Sequence, residues 1–193
     1  MKKLFLISIF FSFIAYAKID APIGLTWGES DADVVSKYKA KKVYVSDDII
    51  FYELTEPPMT LPNFDSYMVL VHKDLGLMKV VLREKIKDDP YGTKGKEEYF
   101  KYKKVLTKKY GKPESIEKIG LKLYKEIDEF YQCLKYTGCG SYSSYFAQFQ
   151  IGLEIEGSSR GQGELQIIYE SDLHSKYREI ETKQNQMKIE KGL

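Results

Sequence analysis

Hydrophobic and polar positions alternate with period two in several stretches of this chain, and those stretches predict a sheet of hairpins. Phe149, Ile151, Leu153 and Ile155 alternate with Gln148, Gln150, Glu154 and Glu156. Leu165, Ile167 and Tyr169 alternate with Glu164 and Gln166, and Gly157 to Gly163 reads as the flexible loop joining the two strands. A second hairpin sets Met68, Leu70 and His72 on one face and Tyr67, Val69 and Val71 on the other. It turns near Gly76 and continues through Met78, Val80 and Leu82. Lys42 to Leu54 alternates around Ser46-Asp47-Asp48 as a third. Ile23 to Trp27 reads as a short opening strand, and Thr55 to Asn63, with three prolines, as a loop.

Helical spacing appears in four places. Ser30 with Asp33 three residues on is a helix start, and Val34, Val35 and Tyr38 predict a helix over about 31–39. Tyr99, Tyr102, Leu106 and Tyr110 form a stripe in a helix opened by Thr93 or Lys96 and closed by Gly111 and Pro113. Ile116, Ile119, Leu123, Ile127, Phe130 and Leu134 predict a further helix from about Pro113 to Tyr136. Leu173, Tyr177, Ile180 and Met187 mark a charged C-terminal helix whose residues after about 186 should fray. The elements imply an α+β single domain, a mostly antiparallel sheet of hairpins with helices packed on one face.

The first residues break that pattern. Lys2 and Lys3 precede an apolar run from Leu4 to Ile14, and Ala15-Tyr16-Ala17 is a small-x-small cleavage site. Residues 1–17 therefore read as a cleaved signal peptide, leaving residues 18–193 as one exported domain, periplasmic or secreted. That segment holds two of the 30 Lys and Arg and none of the 28 Asp and Glu, so 28 of each remain. A balanced domain has no electrostatic reason to seek nucleic acid or anionic lipid. Lys18 stands where a lipoprotein would carry its lipidated cysteine, so neither a lipid anchor nor a transmembrane segment is expected in the mature chain.

Cys133 and Cys139 are the only cysteines. In an oxidising compartment, close in sequence and beside Gly138 and Gly140, they predict a disulfide. Closing so small a ring stabilises the fold by about 2 kcal/mol. The spacing is not that of a redox pair, and no histidine sits at ligand spacing for zinc. Gly157-x-Ser159-x-Gly161 matches a nucleophile elbow by letter, but it falls between two strands and reads as a loop. His72 reads as a satisfied, partly buried histidine, and His174 as a solvated one. The chain presents no catalytic constellation, cofactor motif or metal-ligand set.

Tyr136, Tyr142 and Tyr145 lie among Gly138, Gly140, Ser141, Ser143 and Ser144, a composition shared with adaptable recognition surfaces. Arg160, in the hairpin loop, could reach a partner carboxylate. The expectation is a non-catalytic exported binding protein of the bacterial periplasm, meeting another envelope protein through these residues. An immunity protein, or an inhibitor of an envelope-directed enzyme, is a concrete version. Alternatives are a carrier of a small apolar or lipid-like ligand, and an enzyme using His72 with a nearby carboxylate. The opening Gly24-Leu25-Thr26-Trp27-Gly28-Glu29-Ser30, before a short helix and hairpins, is similar to small envelope domains of the outer-membrane assembly accessory type. The similarity assigns no residue a role.

Overall fold

The computed structural model describes residues 19–121 and 123–192; the signal peptide assigned to residues 1–17 lies outside them. Eight strands form one sheet in the order β1-β2-β3-β4-β8-β7-β6-β5, antiparallel at every junction. They are β1 (Lys41–Val45), β2 (Ile49–Glu53), β3 (Ser66–His72), β4 (Gly76–Ile86), β5 (Glu114–Lys118), β6 (Ser141–Phe146), β7 (Ile151–Ser159) and β8 (Gln162–Glu170). The helices are α1 (Asp31–Tyr38), α2 (Thr93–Tyr110), α3 (Phe130–Lys135) and α4 (Asp172–Gly192). The α+β class and the short-loop disulfide are as the sequence predicts.

The register explains which side chains form the core. Tyr52, Val69, Val80, Tyr169, Ile151 and Phe146 sit opposite one another across six strands, and all are buried. Cross-strand partners share a face, so this row defines the covered side of the sheet. Helix α2 lays Tyr99, Tyr102 and Leu106 on that side, α1 adds Val34 and Tyr38, and α3 adds Phe130 and Tyr131. The alternate row, Phe51-Leu70-Lys79-Glu170, faces the other way, beneath His174 and Tyr177 of α4.

Four local expectations fail for identifiable reasons. Residues 22–24 form one turn of 3-10 helix rather than a strand. Pro22 starts it and Ile23 and Gly24 adopt positive φ. The helix predicted over 113–136 is instead the edge strand β5, an irregular segment and the short α3. Glu114 to Lys118 pairs with β6, and Gly120 turns the chain at φ +71°. Hairpin strands also reach further than their composition suggests: β7 continues to Ser159 and β8 begins at Gln162, so Gly157-x-Ser159 is strand backbone and the turn is tight. Phe149, expected in the core, belongs to the turn before β7 and is 58% exposed.

The core holds one polar hub. Asp89, 4% exposed, accepts the N–H groups of Thr93 (2.9 Å) and Gly95 (3.1 Å) at the start of α2 and the hydroxyl of Tyr131 (2.7 Å). Its own N–H donates to the Gly161 carbonyl at 3.0 Å. Burial works against the charge, but these hydrogen bonds outweigh it and hold the carboxyl below its usual range. Glycines make room for the Tyr131 side of this contact. A Cβ on Gly157 would lie 1.8 Å from the Tyr131 carbonyl oxygen and 2.7 Å from the Lys135 nitrogen; one on Gly163 would lie 2.3 Å from the Tyr131 ring. The neighbouring Phe130 ring needs the same of Gly92, where a Cβ would meet it at 2.3 Å.

Glu84 is the exception on the covered side. It sits opposite Leu165, is 8% exposed, and its Oε2 is buried without a partner. Burial, and secondarily Glu98 on α2, raises its pKa to about 7.

Tyr131→Phe deletes one hydrogen bond to a charged acceptor and should cost about 1.5–3 kcal/mol. Gly157→Ala forces α3 backbone to move and should cost about 3 kcal/mol or more. Both are read as a lower urea midpoint at unchanged slope. Between pH 4.5 and about 7 the unfolded chain ionises Glu84 while the folded chain keeps it protonated, so stability falls as pH rises through that window. Glu84→Gln removes this term. The variant should match wild type near pH 4 and exceed it at pH 8 by up to about 3 kcal/mol. Parallel pH profiles would contradict it.

Candidate functional site

Helix α3 ends at the disulfide. Cys133 and Cys139 are both fully buried, bonded at 2.13 Å with Cα atoms 5.1 Å apart. Chain segment 119–129, between β5 and α3, is clipped to this bond. Gly120 N–H donates to Cys133 Sγ at 3.1 Å, Leu121 N–H donates to the Cys139 carbonyl at 2.9 Å, and the Leu123 carbonyl oxygen abuts Cys139 Sγ. Gly140 permits the approach, because a Cβ there would fall 2.5 Å from the Lys118 carbonyl.

Strand β5 and the clipped segment turn apolar side chains outward. Ile116, Ile119, Leu121, Leu123, Tyr124 and Ile127 are all exposed, Leu121 by 61% and Ile127 by 78%. The helical spacing of Ile116, Ile119, Leu123 and Ile127 reads as a buried stripe in sequence, and the fold leaves them in solvent instead. Six large apolar residues within twelve positions, all exposed, differ from the singly scattered hydrophobics of an ordinary surface.

The four residues expected to form a recognition surface divide between three places. Tyr136 and Arg160 come together, lining a cleft of about 470 Å³ with Tyr124, Gln132, Lys135, Ser158 and Ser159. The rings of Tyr124 and Tyr136 meet edge-on at 6.2 Å, and Arg160 is ion-paired with Asp128. Tyr142 is not in a loop but in β6. It faces the covered side, half-buried against Tyr99, Phe100 and Phe130. Tyr145, three positions along the same strand, faces the opposite side, donates to Glu154 Oε1 at 2.7 Å and lies against Phe149. Strand β6 escapes a reading by hydrophobicity because Ser141, Ser143 and Ser144 occupy it. Ser144 is fully buried, within hydrogen-bond distance of the Tyr99 hydroxyl at 2.6 Å and the Ser115 hydroxyl at 2.7 Å. The cleft residues Tyr124, Gln132 and Lys135 carry no sequence signal of their own, since none belongs to the apolar stripe read over 113–136.

A second concave region lies at α4, where both histidines converge on Tyr177, His72 at 5.5 Å and His174 at 6.4 Å between ring centroids. His174 is buried rather than solvated; its Nδ1 lies 3.2 Å from Glu170, whose other oxygen accepts from Lys79 at 2.7 Å. Burial disfavours the Glu170 charge, yet the hydrogen bonds from His174 and Lys79 prevail and bring its pKa down to about 2. His72 spends its Nδ1 on the N–H groups of Asp74 (3.1 Å) and Leu75 (3.2 Å), which makes it the acceptor of its own turn. Each histidine thus has a structural partner, and among the described residues neither hydrogen-bonds a hydroxyl or thiol.

Among the described residues no three His, Cys, Asp or Glu side chains are placed to hold a metal ion, and no helix is long and apolar enough to cross a membrane. Compared with protein-family models, with curated proteins and with solved structures, the chain matches none.

Proposed function

We propose that this chain is an exported binding protein of the bacterial periplasm that acts by contact with another protein, as an immunity protein or an inhibitor of an envelope-directed enzyme would. The observation that carries the reading is the run of exposed apolar side chains from Ile116 to Ile127, fastened at its middle to a buried disulfide. Interfaces draw their energy from a few large apolar and aromatic anchors, and anchors held in place before binding lose less conformational entropy. A disulfide between α3 and the start of β6 supplies that restraint without requiring the segment to bury itself. The balance of 28 basic and 28 acidic residues in 18–193 fits recognition by shape and apolar contact rather than by net charge.

A carrier of an apolar ligand would require open space between helices and sheet. Tyr99, Tyr102, Leu106, Phe130 and Tyr131 fill that position with their own rings and methyls.

The test is affinity capture from native envelope and culture extracts with the oxidised chain 18–193, beside a bait carrying Leu121→Asp and Ile127→Asp. Both side chains are exposed, so the thermal midpoint should move little. The proposal expects one protein retained at a 1:1 ratio by the wild-type bait. Calorimetry with that purified partner should then show affinity for the double variant weakened by about tenfold or more. Equal retention by both baits, or no retained protein, would overturn it.

A further inference from the structure

We infer that the cleft between the end of α3 and the end of β7 is a subsite for a carboxylate-bearing side chain on an extended segment of the partner protein. The inference rests on the protein-binding reading and adds the chemistry of what is bound. The cleft, about 470 Å³, is within the roughly 300–1,000 Å³ range of sites that enclose small ligands or short peptide stretches. It adjoins the exposed apolar segment through Tyr124, which belongs to both. A partner lying on Leu121, Leu123 and Ile127 therefore has the cleft beside it.

Charge selects the occupant. Lys135 and Arg160 both line the cleft, and among the described residues Lys135 has no ion-pair partner. Asp128 accepts from one guanidinium nitrogen of Arg160, and a guanidinium carries five donors in a planar fork suited to a carboxylate. The lining thus carries two cations and no acidic residue, and among the described residues its single ion pair is that of Arg160 with Asp128. The edge-on rings of Tyr124 and Tyr136 offer an apolar wall for the methylenes of a glutamate stem. Ser158 and Ser159 add hydroxyl donors from the end of β7. Gln132, whose Oε1 is buried without a partner, supplies an amide acceptor that a peptide N–H could satisfy with a small side-chain adjustment. Anion, apolar stem and adjacent N–H together describe an acidic residue within a peptide.

The experiment is an NMR titration of the oxidised, isotope-labelled chain 18–193 with the blocked peptide acetyl-Leu-Glu-Leu-amide, its Gln counterpart, and glucuronic acid as a sugar carboxylate. The inference expects backbone shifts at Lys135, Tyr136, Ser159 and Arg160 with the Glu peptide. Affinity should be about fivefold weaker for the Gln peptide, and weaker for the Glu peptide in high salt. Arg160→Gln should abolish the response. Lys135→Gln, which leaves the Arg160–Asp128 pair in place, should weaken it. Equal responses to both peptides, shifts confined to other surfaces, or no response would overturn the subsite. A stronger response to glucuronic acid would overturn it in favour of a carbohydrate. A subsite failure with capture still dependent on Leu121 and Ile127 would remove this inference alone. Loss of that capture dependence, with the peptide still bound, would remove the protein-binding reading alone.

Discussion

The contact between Asp89 and Tyr131 is the constraint on which the arrangement of this protein depends. One buried carboxylate ties the end of β4, the first turn of α2 and the short helix α3 together, while its backbone N–H reaches the turn between β7 and β8. Helix α3 has only six residues, too few to be stable by its own hydrogen bonds. It persists because Phe130 and Tyr131 are fully buried in a socket whose walls include Gly92, Gly95, Gly157 and Gly163. A charge in such a place is costly unless its lone pairs find donors, and here the donors come from two separate parts of the chain, the start of α2 and α3.

Everything proposed about function is positioned by that socket. Two residues beyond Tyr131 stands Cys133, so fixing α3 fixes the disulfide, and the disulfide fixes Leu121 through the Cys139 carbonyl. The cleft with Tyr136 and Arg160 shares the same frame, with α3 on one side and the β7 end, held close by Gly157, on the other. Helix α4 is fastened separately, through the contact of its His174 with Glu170, which Lys79 also holds, on the opposite face. The two concave regions are thus independent parts of one sheet.

Much of the sheet was legible because one covered face forces alternation. Val69 and Val71 could be assigned to one face of their strand, and Leu153 and Ile167 to the apolar face of theirs, before any coordinates. The helix start at Ser30 was readable from its cap, and the Asp33 N–H does donate to Ser30 Oγ, at 3.2 Å; the next start, open between Thr93 and Lys96, falls at Thr93. The site was the least legible part, for a physical reason. Ile116 to Leu134 carries a helical period by chance of spacing, and period alone does not say whether a stripe is buried or whether the chain pairs with a strand instead. Strand β6 hid behind serines whose hydroxyls are satisfied inside the core, and the partners that make this possible, Tyr99 and Ser115, are distant in sequence. Tyr136 reads as part of a loop of Tyr, Ser and Gly and Arg160 as part of the hairpin loop, and the fold brings the two into one cleft. Tyr142 and Tyr145 were grouped with them as loop residues, and strand parity separated them.

Helix α3 is the anchor and segment 119–129 its dependent, and residue-resolved hydrogen exchange on the oxidised and reduced chain 18–193 tests that order directly. The prediction is that amides of Gly95, Tyr131 and Cys133 exchange only with global unfolding in both forms, while Gly120 and Leu121 are protected in the oxidised form and released on reduction. Exchange of the α3 amides by easy local opening, at the rate of the exposed segment and with the rest of the core still protected, would contradict it.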